Sequence, residues 1–402
     1  MALLRPVTDM KDSGIEWVGQ IPQNWAIIPN KYLMHKEKYL CAKWTGQDVM
    51  SLTMNGVIIR DLVNPSGKMP ESFDGYQYVK NGDLLMCLFD IDVTPRCVGR
   101  VFHDGVTSPA YSNFKLHENA SLGYYYYYYL MLDHTKELLH LAKNLRHSFT
   151  AEQLGQLKVP MPPYEEQQAI ASYLDDRCSK LDEIIAEAEK SIEEYKELKQ
   201  AVITEAVTKG LRNSSITYSG DPNIGEISVG WNVCKTLYGL IMPITDGPHT
   251  TPVLYDEGVP FISAEAVSCG QGSIDFDHMR GYISEEFYQE CCKKYIPAID
   301  DIYMIKSGAT TGRVSMVDTD RKFTIWSPLA VFRVNSSRLI PRYLYYFLQS
   351  KPYQQQVQLG WTFGTQQNIG MRTLEKLKIC MPPLDTVIDV SVHMSQDLAH
   401  RG

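Results

Sequence analysis

Residues 157–170 read LKVPMPPYEEQQAI, and residues 377–390 read LKICMPPLDTVIDV. The shared LK–MPP phrase recurs at an offset of 220 residues. Two adjacent prolines lack the amide donors that a ladder or a helix interior needs, so the phrase predicts a strand end followed by a helix entry. After the first copy, Glu165 and Glu166 sit where carboxylates favour the positive end of a helix. Leu174, Cys178, Leu181, Ile185, Ala188, Ile192, Tyr195, Lys199, Val202 and Ala206 then follow alternating spacings of four and three. Only Lys199 is polar in that seam, and Lys209-Gly210 closes it. The pattern predicts a helix of roughly 45 residues, about 68 Å long, whose apolar stripe needs a partner helix from this chain or another.

Working outward, other phrases repeat in the same order at a period near 210 to 220 residues. QIPQNW (20–25) is echoed by EISVGW (226–231), and GDLLMCL with VGRV (98–101) by DDIYMIK with TGRV (311–314). YYYYLML near Tyr126 is echoed by YLYYFLQ near Tyr343. Four weak echoes in one order predict a duplicated unit. Short β-branched and aromatic runs bounded by Gly, Asn, Asp and Pro read as strands, for example GDLLMCLFDIDV, VGRVFH, GVPFISAEAV and TIWSPLAVFRV. Tyrosine-rich segments with helical spacing precede each closing phrase. The expected fold class is α+β: two similar mixed-sheet domains joined by a long coiled-coil-forming helix. The expected boundaries are 1–160, 161–212 for the helix, 213–383, and a short tail at 384–402. The tyrosine run 124–129 reads as half-buried element surface, with a stacking platform for bases as the other reading.

The chain has 402 residues, 44% of them hydrophobic, enough for more than one core. No uninterrupted apolar run approaches a membrane span, and MALLRPVTDMKDSG has neither the basic start nor the apolar stretch of a secretory signal. Nine cysteines without a C-x-x-C pair suit reduced thiols, so a cytoplasmic protein is expected. Of the net charge of −8, the segment from Met161 to Lys209 carries −6. The two flanking units are therefore near neutral, and local field rather than total charge decides whether either attracts a polyanion.

MPPY is close to the [Asn/Asp]-Pro-Pro-[Tyr/Phe] motif of amino-methylating DNA methyltransferases. There the first side chain accepts hydrogen bonds from the exocyclic amine of the flipped base. The thioether of Met161 cannot, and Leu384 replaces the ring in the second copy. There is no Gly-rich cofactor loop, no G-x-x-x-x-G-K-[ST], and no zinc-hydrolase arrangement among ten histidines. No catalytic residue, cofactor or metal is expected in this chain.

DSGIEWVGQIPQNW (12–25), VPMPPYEEQQAIASYLD (159–175), ITDGPHTTPVLYDEGVPFISAEAV (244–267), SGATTGRV (307–314) and GTQQNIG (364–370) together resemble the specificity subunit of type I restriction–modification systems. The resemblance spans nearly the whole chain. It implies two target-recognition domains, each reading one half of a bipartite site on double-stranded DNA, with the helix as spacer. It also implies partner subunits that methylate and restrict, and that alone use S-adenosylmethionine, ATP and magnesium. The family normally carries a second long helix after the second proline phrase. Here only 19 residues follow Pro383, without EEQ or heptads, so the expectation is a subunit whose seam (Leu174, Leu181, Ile185, Ile192, Val202) lacks its internal partner and can pair with a second copy.

The DNA-contact candidates come from the same stretches. In the second unit, TDGPHTTP offers Thr245, His249, Thr250 and Thr251 around glycine and proline. SGATTGR offers Thr310, Thr311 and Arg313, as a phosphate contact or as a tight hairpin. GTQQN offers Thr365, Gln366, Gln367 and Asn368, whose amides suit adenine, or else form a polar turn before a helix. In the first unit the aligned positions are Arg96 and Arg100, then Arg146, His147 and Ser148. The first unit has no counterpart of TDGPHTTP. Two other function classes stay open at this point: an unusual DNA adenine methyltransferase, and a coiled-coil scaffold carrying two ligand-binding domains.

Overall fold

The computed structural model describes residues 9–386, apart from 66, 68, 141, 143–147, 212–214, 364–366 and 385. The chain divides into two compact units, Met1–Glu187 and Ala188–Gly402.

In the first unit, one antiparallel sheet has the order Met34–Glu37, Ser112–Leu116, Leu84–Met86, Val98–Arg100. A second sheet runs Gly56–Ile59, Val49–Thr53, Gly105–Thr107, Gln77–Val79, with one parallel pair in which Val106 faces Val49. A separate ribbon joins Ala26–Pro29 to Lys158–Met161, the strand inside the first LK–MPP phrase. The second unit repeats the plan. Its antiparallel sheet runs Thr245–Asp246, Leu329–Phe332, Ile302–Ile305, Val314–Met316. Its second sheet runs Gly281–Ile283, Val259–Ile262, Thr324–Ile325, again with one parallel pair, Phe261 facing Thr324. Its ribbon joins Asn232–Lys235 to Lys378–Met381. The duplication expected from weak phrases is a duplication of strand order.

Shared side chains explain why the phrases persist. Asp83 and Asp301 each open the strand at the middle of their sheet and are buried. Each accepts a backbone N–H from the residue three positions earlier, Lys80 and Ala298, at 2.9 Å in both cases. Tyr125 and Tyr343 lie on the tyrosine-rich helices Leu122–His134 and Pro341–Gln349. The Tyr125 hydroxyl donates to Pro160 O at 3.1 Å, and the Tyr343 hydroxyl lies 3.1 Å from Cys380 O, so each pins its helix to the strand of the proline phrase. A buried hydroxyl left without such an acceptor would cost about 1–3 kcal/mol.

Two expectations need correcting. Tyr124, Tyr125, Tyr126, Tyr128 and Tyr129 are core residues, and Tyr127 gives its hydroxyl to Asp175 at 2.8 Å. The tyrosine run is therefore no exposed stacking platform: five of six consecutive rings are buried, so the helix is enclosed on several sides rather than on one face. The VGRV and TGRV phrases do not coincide either. Met86 faces Val98 and Met304 faces Val314, so Val98 matches Val314 and the two arginines occupy different places.

After Pro162-Pro163 the chain enters an unbroken helix, Tyr164–Lys209. Its entry is tied down in the first unit. Gln167, fully buried, accepts the Ser121 amide at 2.8 Å and donates to Pro162 O at 2.9 Å, and the Trp25 indole donates to Glu166 at 2.9 Å. The helix end is tied down in the second unit, where the Lys351 amide donates to Thr204 and the Tyr343 hydroxyl to Val207 O. Between these anchors the expected seam is bare: Leu181, Ile185 and Ile192 are each more than half exposed, and Val202 is exposed as well. Leu174 and Cys178, nearer the entry, are half-buried.

Candidate nucleic-acid interface

In the second unit, three motifs far apart in sequence meet at one end of the antiparallel sheet. Thr245 pairs with Val331, which sets the TDGPHTT loop beside the strand Leu329–Phe332, one strand away from Ile302–Ile305. Asp246 is only 1% exposed, and its carboxylate faces Lys294 Nζ at 2.5 Å, His249 Nε2 at 3.2 Å and Lys306 Nζ at 3.3 Å. A buried carboxylate persists only when paired, so these cations hold the loop down. The next residue must be glycine: a Cβ at Gly247 would lie 2.0 Å from Ile325 O. Past this clamp, His249, Thr250 and Thr251 are exposed.

Lys306 leads straight into SGATTGR. The Gly312 amide returns to Ile305 O at 2.8 Å, and the Thr311 hydroxyl donates to Gly308 O at 2.6 Å. Gly308 and Gly312 have φ of +101° and +96°, values that side chains disfavour. The segment is thus a tight hairpin. Thr310 is half-buried, while Arg313 is exposed and donates to Ser268 O at 3.3 Å. Gln367 and Asn368 dock on this hairpin: the Gly308 amide donates to Gln367 O at 3.0 Å, and the Ile369 amide to Lys306 O at 2.9 Å. Thr365 and Gln366 lie outside the described residues. Around the cluster, the Lys294 and Lys306 ammonium groups face one buried carboxylate, and Glu290 and Lys293 line the same pocket as an ion pair.

The first unit uses its candidates differently. Arg96 donates to Met54 O at 2.7 Å and to Val98 O at 3.2 Å, and it also bonds the Tyr126 hydroxyl. Arg100 lies over the Tyr126 ring, 4.6 Å from its centroid, and pairs with Asp175 on the long helix at 3.0 Å. Both guanidinium groups therefore brace the unit internally. Ser148 is half-buried, and Arg146 and His147 lie outside the described residues.

Sheet order locates the missing counterpart of TDGPHTTP. The strand Met34–Glu37 occupies the edge position that Thr245–Asp246 occupies in the second unit. It exposes His35 and Lys36, followed by Lys38 and Tyr39. No residue match signals this equivalence, and nothing in sequence spacing links Asp246 to Lys294 or Lys306.

Two stretches, 77–194 and 250–391, match the model of the type I restriction modification DNA specificity domain. Together they cover more than half of the chain. The chain belongs to this family. The first stretch of the specificity domain contains Arg96, Arg100 and the first proline phrase; the second contains Thr250, SGATTGR, Gln367 and Asn368. A sequence assigned as the MjaX type I restriction enzyme specificity subunit of Methanocaldococcus jannaschii is 29% identical over 243 residues, 59% of this chain and 52% of that one. The MjaVIII specificity subunit of the same organism is 24% identical over 234 residues, 57% of this chain and 52% of that one. The match thus spans about half the length of these relatives. Among solved structures, a chain from work on complex assembly and conformational transition of the type I R-M system superposes with a TM-score of 0.66 at 15% identity, covering 94% of this chain and 91% of the other. The HsdS subunit from Thermoanaerobacter tengcongensis gives 0.51 at 16% identity, covering 94% and 90%. These two likenesses concern the fold: two mixed-sheet units with a long helix.

Proposed function

We propose that this chain is a non-catalytic DNA sequence-recognition subunit of a type I restriction–modification complex. Each unit reads one half of a bipartite site in double-stranded DNA, and the length of the helix sets the gap between the halves. The observation that carries this reading is a duplicated strand order whose edge loops differ in sequence, inside a chain that belongs to the specificity-domain family. A repeated scaffold with divergent edge loops suits two readers of different half-sites.

The functional division follows 1–160 and 213–383 for the readers, 161–212 for the spacer and 384–402 for the tail. In the second unit the readers are Thr245, His249, Thr250, Thr251, Thr310, Thr311, Arg313, Gln367 and Asn368, with Lys294 as a neighbouring cation and Lys306 holding the loop from below. In the first unit, Met34–Tyr39 takes the role of TDGPHTT. Methylation and restriction belong to partner subunits in the cytoplasm, which bring S-adenosylmethionine, ATP and magnesium. The bare stripe at Leu181, Ile185 and Ile192 accepts a helix, from a partner subunit or from a second copy.

Mapping methylated adenines in the host genome with and without this gene tests the reading. Loss of one bipartite motif is expected, and an unchanged methylome sinks it. Removal of one heptad between residues 174 and 206 is expected to change the unspecified gap of the motif and leave both half-sites intact. A gap that stays constant in a still-active complex sinks the spacer role.

A further inference from the structure

The edge of the first unit's antiparallel sheet carries a pair of histidines, one of which, His35, lies within the stretch Met34–Tyr39 proposed above to read DNA. His35 lies on the strand Met34–Glu37, and His117 follows the strand Ser112–Leu116, which pairs with it. His117 is anchored by its own amide, which donates to Leu33 O at 2.8 Å. His35 Nδ1 and His117 Nε2 stand 3.1 Å apart, and both side chains face solvent. Two imidazole nitrogens bound to one zinc ion at about 2.0–2.1 Å stand roughly 2.9–3.3 Å apart, from right-angled to tetrahedral geometry. The observed separation falls inside that window.

A second observation concerns the other nitrogen of His35. Its Nε2 lies 3.5 Å from Glu37 Oε1, two residues on along the same strand and on the same face. Histidines that bind metal commonly give their remaining N–H to a carboxylate, which fixes the tautomer and leaves the first nitrogen bare. Glu37 is thus placed to accept from His35 Nε2 once Nδ1 is taken by an ion. The two rings face each other through these nitrogens at hydrogen-bonding distance.

We propose that His35 and His117 form a two-nitrogen site for a divalent first-row cation, zinc in particular, oriented by Glu37. Imidazole nitrogen suits zinc, copper and nickel. On binding, the proton on the facing nitrogen is released and the same ring takes up a proton on its other nitrogen, so both rings stay neutral and both facing lone pairs turn to the ion. Among the described residues no three or more His, Cys, Asp or Glu groups surround one ion position. Water therefore completes the coordination, and the ion is exchangeable rather than structural. His35 is shared with the proposed reading strand, but zinc binding is measured without DNA, so either proposal can fail alone.

Titration of the full chain with zinc chloride at neutral pH, followed calorimetrically, tests it. A saturable isotherm with one ion per chain and a Kd tighter than about 100 μM is expected. His35→Ala and His117→Ala are each expected to abolish it; both positions are exposed, so the fold is retained. Glu37→Gln is expected to weaken binding by about 10- to 100-fold. His103→Ala, an exposed histidine paired with Asp48 elsewhere in the unit, is expected to leave binding unchanged. No saturable isotherm, or one that survives in either the His35 or the His117 variant, overturns the site.

Discussion

The two units share a strand order and hold their edge loops by opposite means. In the second, a buried carboxylate on the edge strand gathers two lysines and a histidine, and the loop's hydroxyls remain free at the surface. In the first, the charged brace sits on the other side of the sheet: Arg100, on the far edge strand, reaches Asp175 on the long helix. The same scaffold thus carries a loop fastened to its own sheet in one unit, and a sheet fastened to the connecting helix in the other. A charged residue near a candidate groove is consequently no sign by itself of a ligand contact. Its partners decide.

The comparison breaks most readily at Asp246. Asp246→Ala leaves Lys306, only 12% exposed, without a counter-charge, and is expected to destabilise the second unit by about 3 kcal/mol. Chemical denaturation followed by Trp fluorescence reads this. A stability within error of the parent would mean that the carboxylate does not hold the loop. Next come the two arginines once aligned with each other. Arg313→Ala is expected to weaken DNA binding by the assembled complex about tenfold, with little change in stability. Arg100→Ala is expected to cost about 1 kcal/mol of first-unit stability, since Asp175 is partly solvated. Binding titrations beside melting curves separate these, and equal effects on affinity would erase the distinction.

The smallest expected difference is a null between the units. Tyr125→Phe and Tyr343→Phe remove hydroxyls from matching helices, the second also bonded to Val207 O, and are each expected to cost about 1 kcal/mol. The measure is the midpoint shift of each variant. Values that differ by more than about 1 kcal/mol would show that the two pins are not equivalent.

Local chemistry made much of the architecture legible. The strand end at Met161, the helix entry after Pro163 and the helix end at Lys209 follow from missing proline donors, first-turn carboxylates and a closing Gly210. The tyrosine run misled because six consecutive rings carry no period, so local sequence does not say how many sides of the helix are covered. The site was legible only in part. TDGPHTT, SGATTGR and GTQQN were each visible as polar glycine-bearing segments, but their meeting depends on Lys306 bonding Asp246 and Gln367 docking on Gly308, across 60 or so residues in each case.

By itself, the sequence determined the duplication, the helix and the absence of known catalytic motifs, because periodicity, proline and glycine act over a few residues and leave marks in order along the chain. Only the tertiary structure decided which arginine braces and which stays exposed. It alone paired Met34–Glu37 with Thr245–Asp246 as equivalent edges, and brought His35 within 3.1 Å of His117. Those outcomes depend on which strands become neighbours, and that is set by burial of the whole core rather than by any residue's immediate surroundings.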